Sequence, residues 1–228
     1  MQSFHPSTIY EHTVFMRKVY AWMSLGLAFS GVTAFVVGTN PSFYTPIIEN
    51  EALFKGLIIF DFLLVLFLVF LIKQIPAILA ELTYLFYCFM TGLTLSVIFL
   101  VFTYNSIQLI FFITAGMFAA MSVYGYYTKT DLTGIGQVLV MGLFGIVIAG
   151  VANLWMQNSI LDFWLSVIGV FVFTGLTAYD TQKIRNHNIL GNDGTPEDRK
   201  EVVMGVLTLY LDFMNLFLDL LRLFGKRK

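Results

Sequence analysis

The sequence predicts an all-α membrane protein, a seven-helix transmembrane bundle, and three observations carry that prediction. The 228 residues are 58% hydrophobic and only 12% charged, against roughly 45–50% apolar and about 25% charged in an ordinary soluble domain. The charges are gathered between long uncharged runs: 30 residues (19–48), 47 (82–128), 30 (132–161) and 17 (163–179). A bilayer core takes about 20 apolar residues per helix, so these runs have the lengths of single or double crossings. Other classes are excluded by the same composition. An aromatic content of 17% is foreign to a disordered chain, a net charge of −1 offers no basic footprint for nucleic acid, and Cys88, the single cysteine, has no partner for a disulfide within the chain.

Seven helices are expected, roughly 17–38, 52–73, 82–104, 107–128, 133–156, 160–184 and 196–224, forming one integral membrane domain over residues 1–228. The first follows Arg17-Lys18. Its apolar run exceeds a signal-peptide core of about 7–15 residues, so it is expected to stay in the protein. Gly38-Thr39-Asn40-Pro41 closes it and Pro76 marks the turn after the second helix. The 47-residue run is divided at Tyr104-Asn105-Ser106, where polar turn formers interrupt the apolar pattern. Ser159 and Thr195 read as hydroxyl N-caps, each with an aspartate three residues on, Asp162 and Asp198, and Pro196 occupies a first helical position. The second and seventh helices carry charge inside them, Asp61 in one and Asp212 and Asp219 in the other.

Orientation follows from lysine and arginine. Eight lie in the N-terminal tail and the loops after helices two, four and six, and one in the loops after one, three and five, which places the N-terminus in the cytoplasm. Arg222, Lys226, Arg227 and Lys228 oppose this if the seventh helix crosses fully. Counted alone, they favour a re-entrant seventh segment, and the side of the C-terminus stays open.

Acids inside the apolar layer carry the functional signal, because an isolated charge there costs several kcal/mol or is neutralised. Asp61, Asp180, Asp212 and Asp219 qualify. On the seventh helix Thr208, Asp212, Asn215, Asp219 and Arg222 recur at steps of four and three, which aligns them on one face. Such a seam cannot face lipid and is expected to turn helix seven toward protein or water near the middle of the bundle. The sixth helix ends Thr174-Gly-Leu-Thr177-Ala-Tyr-Asp180, its threonines leading toward the aspartate. Asp212 lies 16 residues beyond Pro196, about 24 Å along a helix, and Asp180 about one turn from the expected end of helix six. A carboxylate pair therefore needs helix seven to protrude on the loop side.

The stretches Phe118-Ala-Ala-Met-Ser-Val-Tyr-Gly-Tyr-Tyr-Thr-Lys-Thr-Asp131-Leu, Gly175-Leu-Thr-Ala-Tyr-Asp180-Thr-Gln-Lys-Ile and Leu209-Tyr-Leu-Asp212-Phe-Met-Asn-Leu-Phe-Leu resemble the Bax inhibitor-1 family, especially its bacterial members. The resemblance covers nearly the whole chain. It implies a central seventh helix, a pH-sensitive calcium leak, and a proton-sensing hydrogen-bonded pair at Asp180 and Asp212. It also implies a latch between Asp61 and Arg222, with a second basic residue at the end of helix two. Only Lys73 stands there, and an ammonium cannot reproduce a bidentate guanidinium clamp. The family's association with stress and cell-death protection adds another reading, a partner-binding regulator of membrane proteins, membrane proteases included.

In physical terms, two carboxylates in a low-dielectric site share a proton and titrate together, and losing that proton drives them apart unless a cation enters. Calcium takes about six to eight oxygens, more than Asp180 and Asp212 supply even with Asn215 and Asp219 nearby, which fits transient hydrated passage. No cofactor is expected beyond calcium as the permeant ion, and no enzyme activity. An intramembrane aspartyl protease would use two such acids, but Leu209-Tyr210-Leu211 precedes Asp212 where that class has Gly-x-Gly, and no Pro-Ala-Leu segment follows. His5, His12 and His187 lack ligand-like spacing. Gly26-xxx-Ser30, Gly116-xxx-Ala120 and Gly145-xxx-Ala149 read as helix-packing steps. Thr91-Gly-Leu-Thr94 recurs as Thr174-Gly-Leu-Thr177, which would fit an inverted repeat of three plus three helices. The expected location is a bacterial plasma membrane.

Overall fold

A computed structural model describes residues 6–189 and 191–228. Among them the helices are α1 (Pro6–Thr39), α2 (Pro41–Glu49), α3 (Glu51–Leu71), α4 (Ala77–Leu95), α5 (Ile98–Val101), α6 (Tyr104–Tyr127), α7 (Thr133–Met156), α8 (Ser159–His187) and α9 (Pro196–Phe224). Seven are long and apolar enough to cross a membrane: α1, α3, α4 continued by α5, α6, α7, α8 and α9. The protein is an all-α integral membrane protein.

The helix ends show where charge counting misplaces boundaries. Helix α1 starts eleven residues before the expected Arg17, because its first turns carry polar residues outside the apolar run. The Gly38–Pro41 stop holds, but Asn40 then accepts a hydrogen bond from the Ser42 amide and Pro41 takes the first helical position, so a further short helix, α2, forms where only a loop was expected. Asn50 repeats the device for α3, accepting from the Leu53 amide. The third span begins at Ala77, five residues early, since Glu81 sits within the helix. It breaks after Leu95, where the Ser96 hydroxyl donates to the Leu93 carbonyl. At the start of α8 the cap is Asn158, whose side chain accepts from the Ile160 and Leu161 amides, and Ser159 is already helical. Thr195 does cap α9, accepting from the Asp198 amide.

The described chain divides into two compact units. One contains α1–α5 and the first half of α9 up to Tyr210, together with Lys228; the other contains α6–α8 and the second half of α9. In the first unit α1 packs on α4 and α3 on α4. Arg199, in the first turn of α9, clasps Glu81 near the start of α4 through two short bonds, while the Lys228 amide donates to the Val101 carbonyl at the end of the same span. The charge count favours re-entry, whereas α9 is one unbroken helix of 29 residues with the length and composition to cross a membrane. Helix α9 is also the most buried of the seven: 67% of its most apolar stretch is buried, against 6% for α3 and for α7, so the polar seam lies on a helix wrapped by protein.

Close backbone approach fixes the second unit. A Cβ added to Gly125 of α6 would overlap the Ala178 carbonyl of α8, and one on Gly136 would overlap the Tyr179 ring. Thr181 donates to Ser122 at 3.3 Å, Gln182 donates to the Thr130 carbonyl and accepts from the Leu132 amide, and the Arg185 guanidinium donates to the Tyr126 carbonyl. Helix α9 lays Phe213 and Phe217 against Phe111 of α6, with ring centroids 5.5 and 6.1 Å apart. Of the three small-residue steps, Gly26-xxx-Ser30 is a packing site, with Gly26 against Tyr84 and Cys88. Gly116 and Gly145 have open space at the Cβ position, because spacing alone does not say which way a helix face points.

Gly125 and Gly116 make a matched pair on one helix. Gly125→Ala is expected to destabilise the detergent-solubilised protein by about 1–3 kcal/mol, the range for overpacking a tight contact, whereas Gly116→Ala should stay within about 0.5 kcal/mol of wild type. Thermal unfolding of the two variants side by side tests this, and equal melting temperatures would contradict the contact.

Candidate functional site

The four membrane acids find different surroundings. Asp180 of α8 and Asp212 of α9 are 8% and 5% exposed, and their carboxyl groups are within hydrogen-bonding reach of each other. Helix α8 continues three residues past its expected end, to His187, which lengthens the helix below Asp180 by about 4.5 Å and narrows the depth difference between the acids. The Asp212 Oδ2 atom is buried with no N–H or O–H donor among the described residues. Only a protonated Asp180 could supply one, or the Asp212 carboxyl could itself hold the proton and donate. On the other side of Asp180 stands Lys183, one turn on, with its ammonium 5.6 Å from the Tyr179 ring centroid.

The threonines that lead toward Asp180 do not serve it. Thr177 donates to the Phe173 carbonyl of its own helix at 2.7 Å, and the buried Thr174 hydroxyl has no hydrogen-bond partner among the described residues. The α9 seam likewise resolves into two kinds of residue. Thr208 and Asn215 bond back to carbonyls four residues earlier, Met204 and Leu211, and so satisfy themselves within the helix. Asp212, Asp219 and Arg222 remain as the groups that look outward. Asp219 is 7% exposed and lies 3.8 Å from the Arg222 guanidinium.

Asp61 accepts from the Thr91 hydroxyl at 3.1 and 3.2 Å, a partner that inspection of the second helix could not reveal because it comes from α4. The partner found for Arg222 is Asp219, three residues earlier on its own helix. Lys73 is exposed in the turn after α3, where its backbone carbonyl accepts from the Lys200 ammonium. Asp198, expected as a capping residue, is 2% exposed and accepts from the Gly194 amide and from Lys18 at 2.7 Å. It forms one wall of a cavity of about 380 Å³ with Lys18, Trp22, Glu81 and Arg199. Among the described residues no group of three or more His, Cys, Asp or Glu could hold a metal ion; His5 lies outside them. Asp131, on the loop before α7, accepts from the Thr133 amide and hydroxyl, and those bonds hold its carboxyl below the usual range.

A second buried polar network escaped sequence reading. Tyr210, fully buried on α9, shares a 2.7 Å hydrogen bond with Ser30, which donates onward to the Cys88 carbonyl. Tyr84 and Tyr87 pack edge-on against the Tyr210 ring. The signal available in sequence was the cluster of small and aromatic residues at Gly26, Ser30, Tyr84 and Tyr87, which composition treats as ordinary apolar filling.

A family model described as inhibitor of apoptosis-promoting Bax1 matches residues 12–228, a stretch that contains every residue of both networks. The chain belongs to this family. Among its relatives, the inner membrane protein YbhL of Escherichia coli is 44% identical over 215 residues, covering 94% of this chain and 92% of its own. A protein of Borreliella burgdorferi is also 44% identical, over 214 residues, with the same coverage. One of Rickettsia prowazekii is 39% identical over 216 residues, covering 94% and 90%. For this Bax inhibitor family member the similarity thus extends over both units and the whole of α9.

The Asp61–Thr91 bond is open to a direct check. Thr91→Val keeps the shape and removes the donor, leaving a half-buried carboxyl without its hydroxyl partner, and is expected to lose about 1–3 kcal/mol of stability. Asp61→Asn, which can still accept from Thr91, should lose less. Melting temperatures in detergent that rank the two variants the other way would contradict this assignment.

Proposed function

We propose that the protein is a pH-sensitive calcium leak of a bacterial inner membrane, gated by the Asp180–Asp212 pair, with its N-terminus in the cytoplasm. The observation that carries the reading is a buried carboxyl oxygen with no donor other than its own or the facing acid's proton. The relative named as an inner membrane protein and the basic residues of the N-terminal tail and even-numbered loops support the location and orientation.

The mechanism follows from proton stoichiometry. With one proton between them, the carboxyl groups attract and hold α8 against α9. Without it, two like charges share a dry site, and Coulomb repulsion is strong at low dielectric. Either the helices separate or a divalent cation takes the proton's place. Two carboxylates fall short of a full calcium shell, so the ion keeps water and leaves again. Proton binding and ion passage are thereby mutually exclusive at one point, and the leak closes on the acid side.

Calcium flux into vesicles containing the purified protein is the test. Wild type should pass calcium faster at about pH 8 than at about pH 6, since the shared proton is lost as pH rises. Asp180→Ala and Asp212→Ala should each abolish that pH dependence. Flux identical among wild type and both variants at both pH values would exclude the gate. Undiminished cellular activity of the double variant, with a membrane protein co-purifying, would favour a regulatory role through a partner instead.

A further inference from the structure

The α8–α9 seam holds another acid that the pair does not use. Asp219 lies seven residues beyond Asp212, about two turns or 10.5 Å along α9, and on the same face. Its carboxyl is pressed against the backbone of α8 at Gly169, where any Cβ would overlap it. Beside it is Ser166, one turn from Gly169 on α8, whose hydroxyl is turned toward the Asp219 carboxyl. That hydroxyl is 1% exposed and has no other hydrogen-bond partner among the described residues. The charges facing Asp219 are Arg222 on its own helix and Asp162 at the start of α8. Two acids and one guanidinium thus share the place. Asp162 is itself engaged at 3.3 Å by the Asn153 amide, at the end of the helix and not in its apolar middle.

The Arg222 contact is weak for an ion pair. At 3.8 Å it is a single approach and not a bidentate clamp, and the side chain is 53% exposed. Such a guanidinium can swing toward solvent with little loss, whereas the buried carboxylate it leaves behind cannot stay bare. From these observations we propose that Asp219 and Ser166 form a second cation station on the seam, for which Arg222 is a tethered, displaceable counter-ion. Asp162 sits at the mouth, Asp219 comes next, and the Asn215 side chain stands between Asp219 and the Asp180–Asp212 pair. The station offers two carboxylate oxygens and one hydroxyl, and the hard-oxygen chemistry selects a hydrated divalent cation such as calcium. Arg222 occupies it when no ion does, so the protein carries a basic residue at the one point where an ion must displace it to proceed.

This inference rests on the calcium reading above, and its test separates the two. Calcium binding to the purified full-length protein is measured by equilibrium dialysis in an Asp212→Asn background, so that the pair is silent. Arg222→Gln in that background is expected to tighten binding at least about tenfold, because a competing unit charge is removed. Adding Asp219→Asn, a near-isosteric change, should abolish the gain. In vesicles with the pair intact, Arg222→Gln should raise calcium flux several-fold and Asp219→Asn should lower it, both keeping the difference between pH 6 and pH 8. Binding that is unchanged by Arg222→Gln, or retained without Asp219, overturns the station whatever the flux shows. Binding as expected from a protein that passes no calcium leaves the station standing and overturns the leak.

Discussion

A carboxyl group in a hydrocarbon layer must have a proton, a cation or a donor, and the architecture of this protein can be read as three answers to that one requirement. Asp61 has a donor, the Thr91 hydroxyl. Asp219 has a cation, the Arg222 guanidinium. For Asp212 the facing group is another acid, Asp180, and no donor among the described residues reaches its Oδ2. Only the third answer depends on a carboxyl proton for its attraction, since two ionised acids repel, and on the proposed reading this makes the Asp180–Asp212 contact between α8 and α9 the proton-sensitive point.

Such a pair has meaning only if the helices bearing it are held in register by groups that do not titrate with it. Helix α8 is held against α6 at Gly125, Ser122 and Tyr126, and Gln182, two residues from Asp180, binds both polar groups of the loop before α7. On α9 the neighbouring Phe213 stacks on Phe111 and Phe118 of α6. Close glycine contacts and edge-on rings are insensitive to pH. They define the separation at which the two carboxyl groups meet, and on the proposed reading a proton decides whether that separation is attractive.

Much of this was legible in the chain, for identifiable reasons. Uncharged runs located five of the seven spans because the cost of charge in lipid is the strongest term in such a sequence, and the other two were read as apolar stretches around Asp61 and around Asp212 and Asp219. The same method misplaced the starts of α1 and α4, because Arg17, Lys18 and Glu81 belong to helices that run past the apolar layer, and Lys18 and Glu81 pair there with Asp198 and Arg199. The short α2 hides behind a Pro that stops one helix and opens the next. Asp180 and Asp212 stood out by residue type and depth. The role of Thr91, the Ser30–Tyr210 bond and the emptiness beside Gly116 were not legible, since each depends on which neighbour a helix face meets, and periodicity gives the face without the neighbour. The continuity of α9 was not legible for a similar reason: four basic residues at its end argue for re-entry by count, but the helix is unbroken from Pro196 to Phe224.

Helix α9 is anchored in two chemically different ways along its length. Its first half is fixed by groups whose charge or hydrogen bonding is constant: Arg199 on Glu81, Asp198 on Lys18, and Tyr210 on Ser30. Two residues beyond Tyr210 stands Asp212, which faces Asp180 on α8. Under the proposed gate this contact is conditional on a proton, so that deprotonation would act on the part of α9 that carries Asp212, Asn215 and Asp219, where an opening between α8 and α9 would present oxygen atoms to a cation.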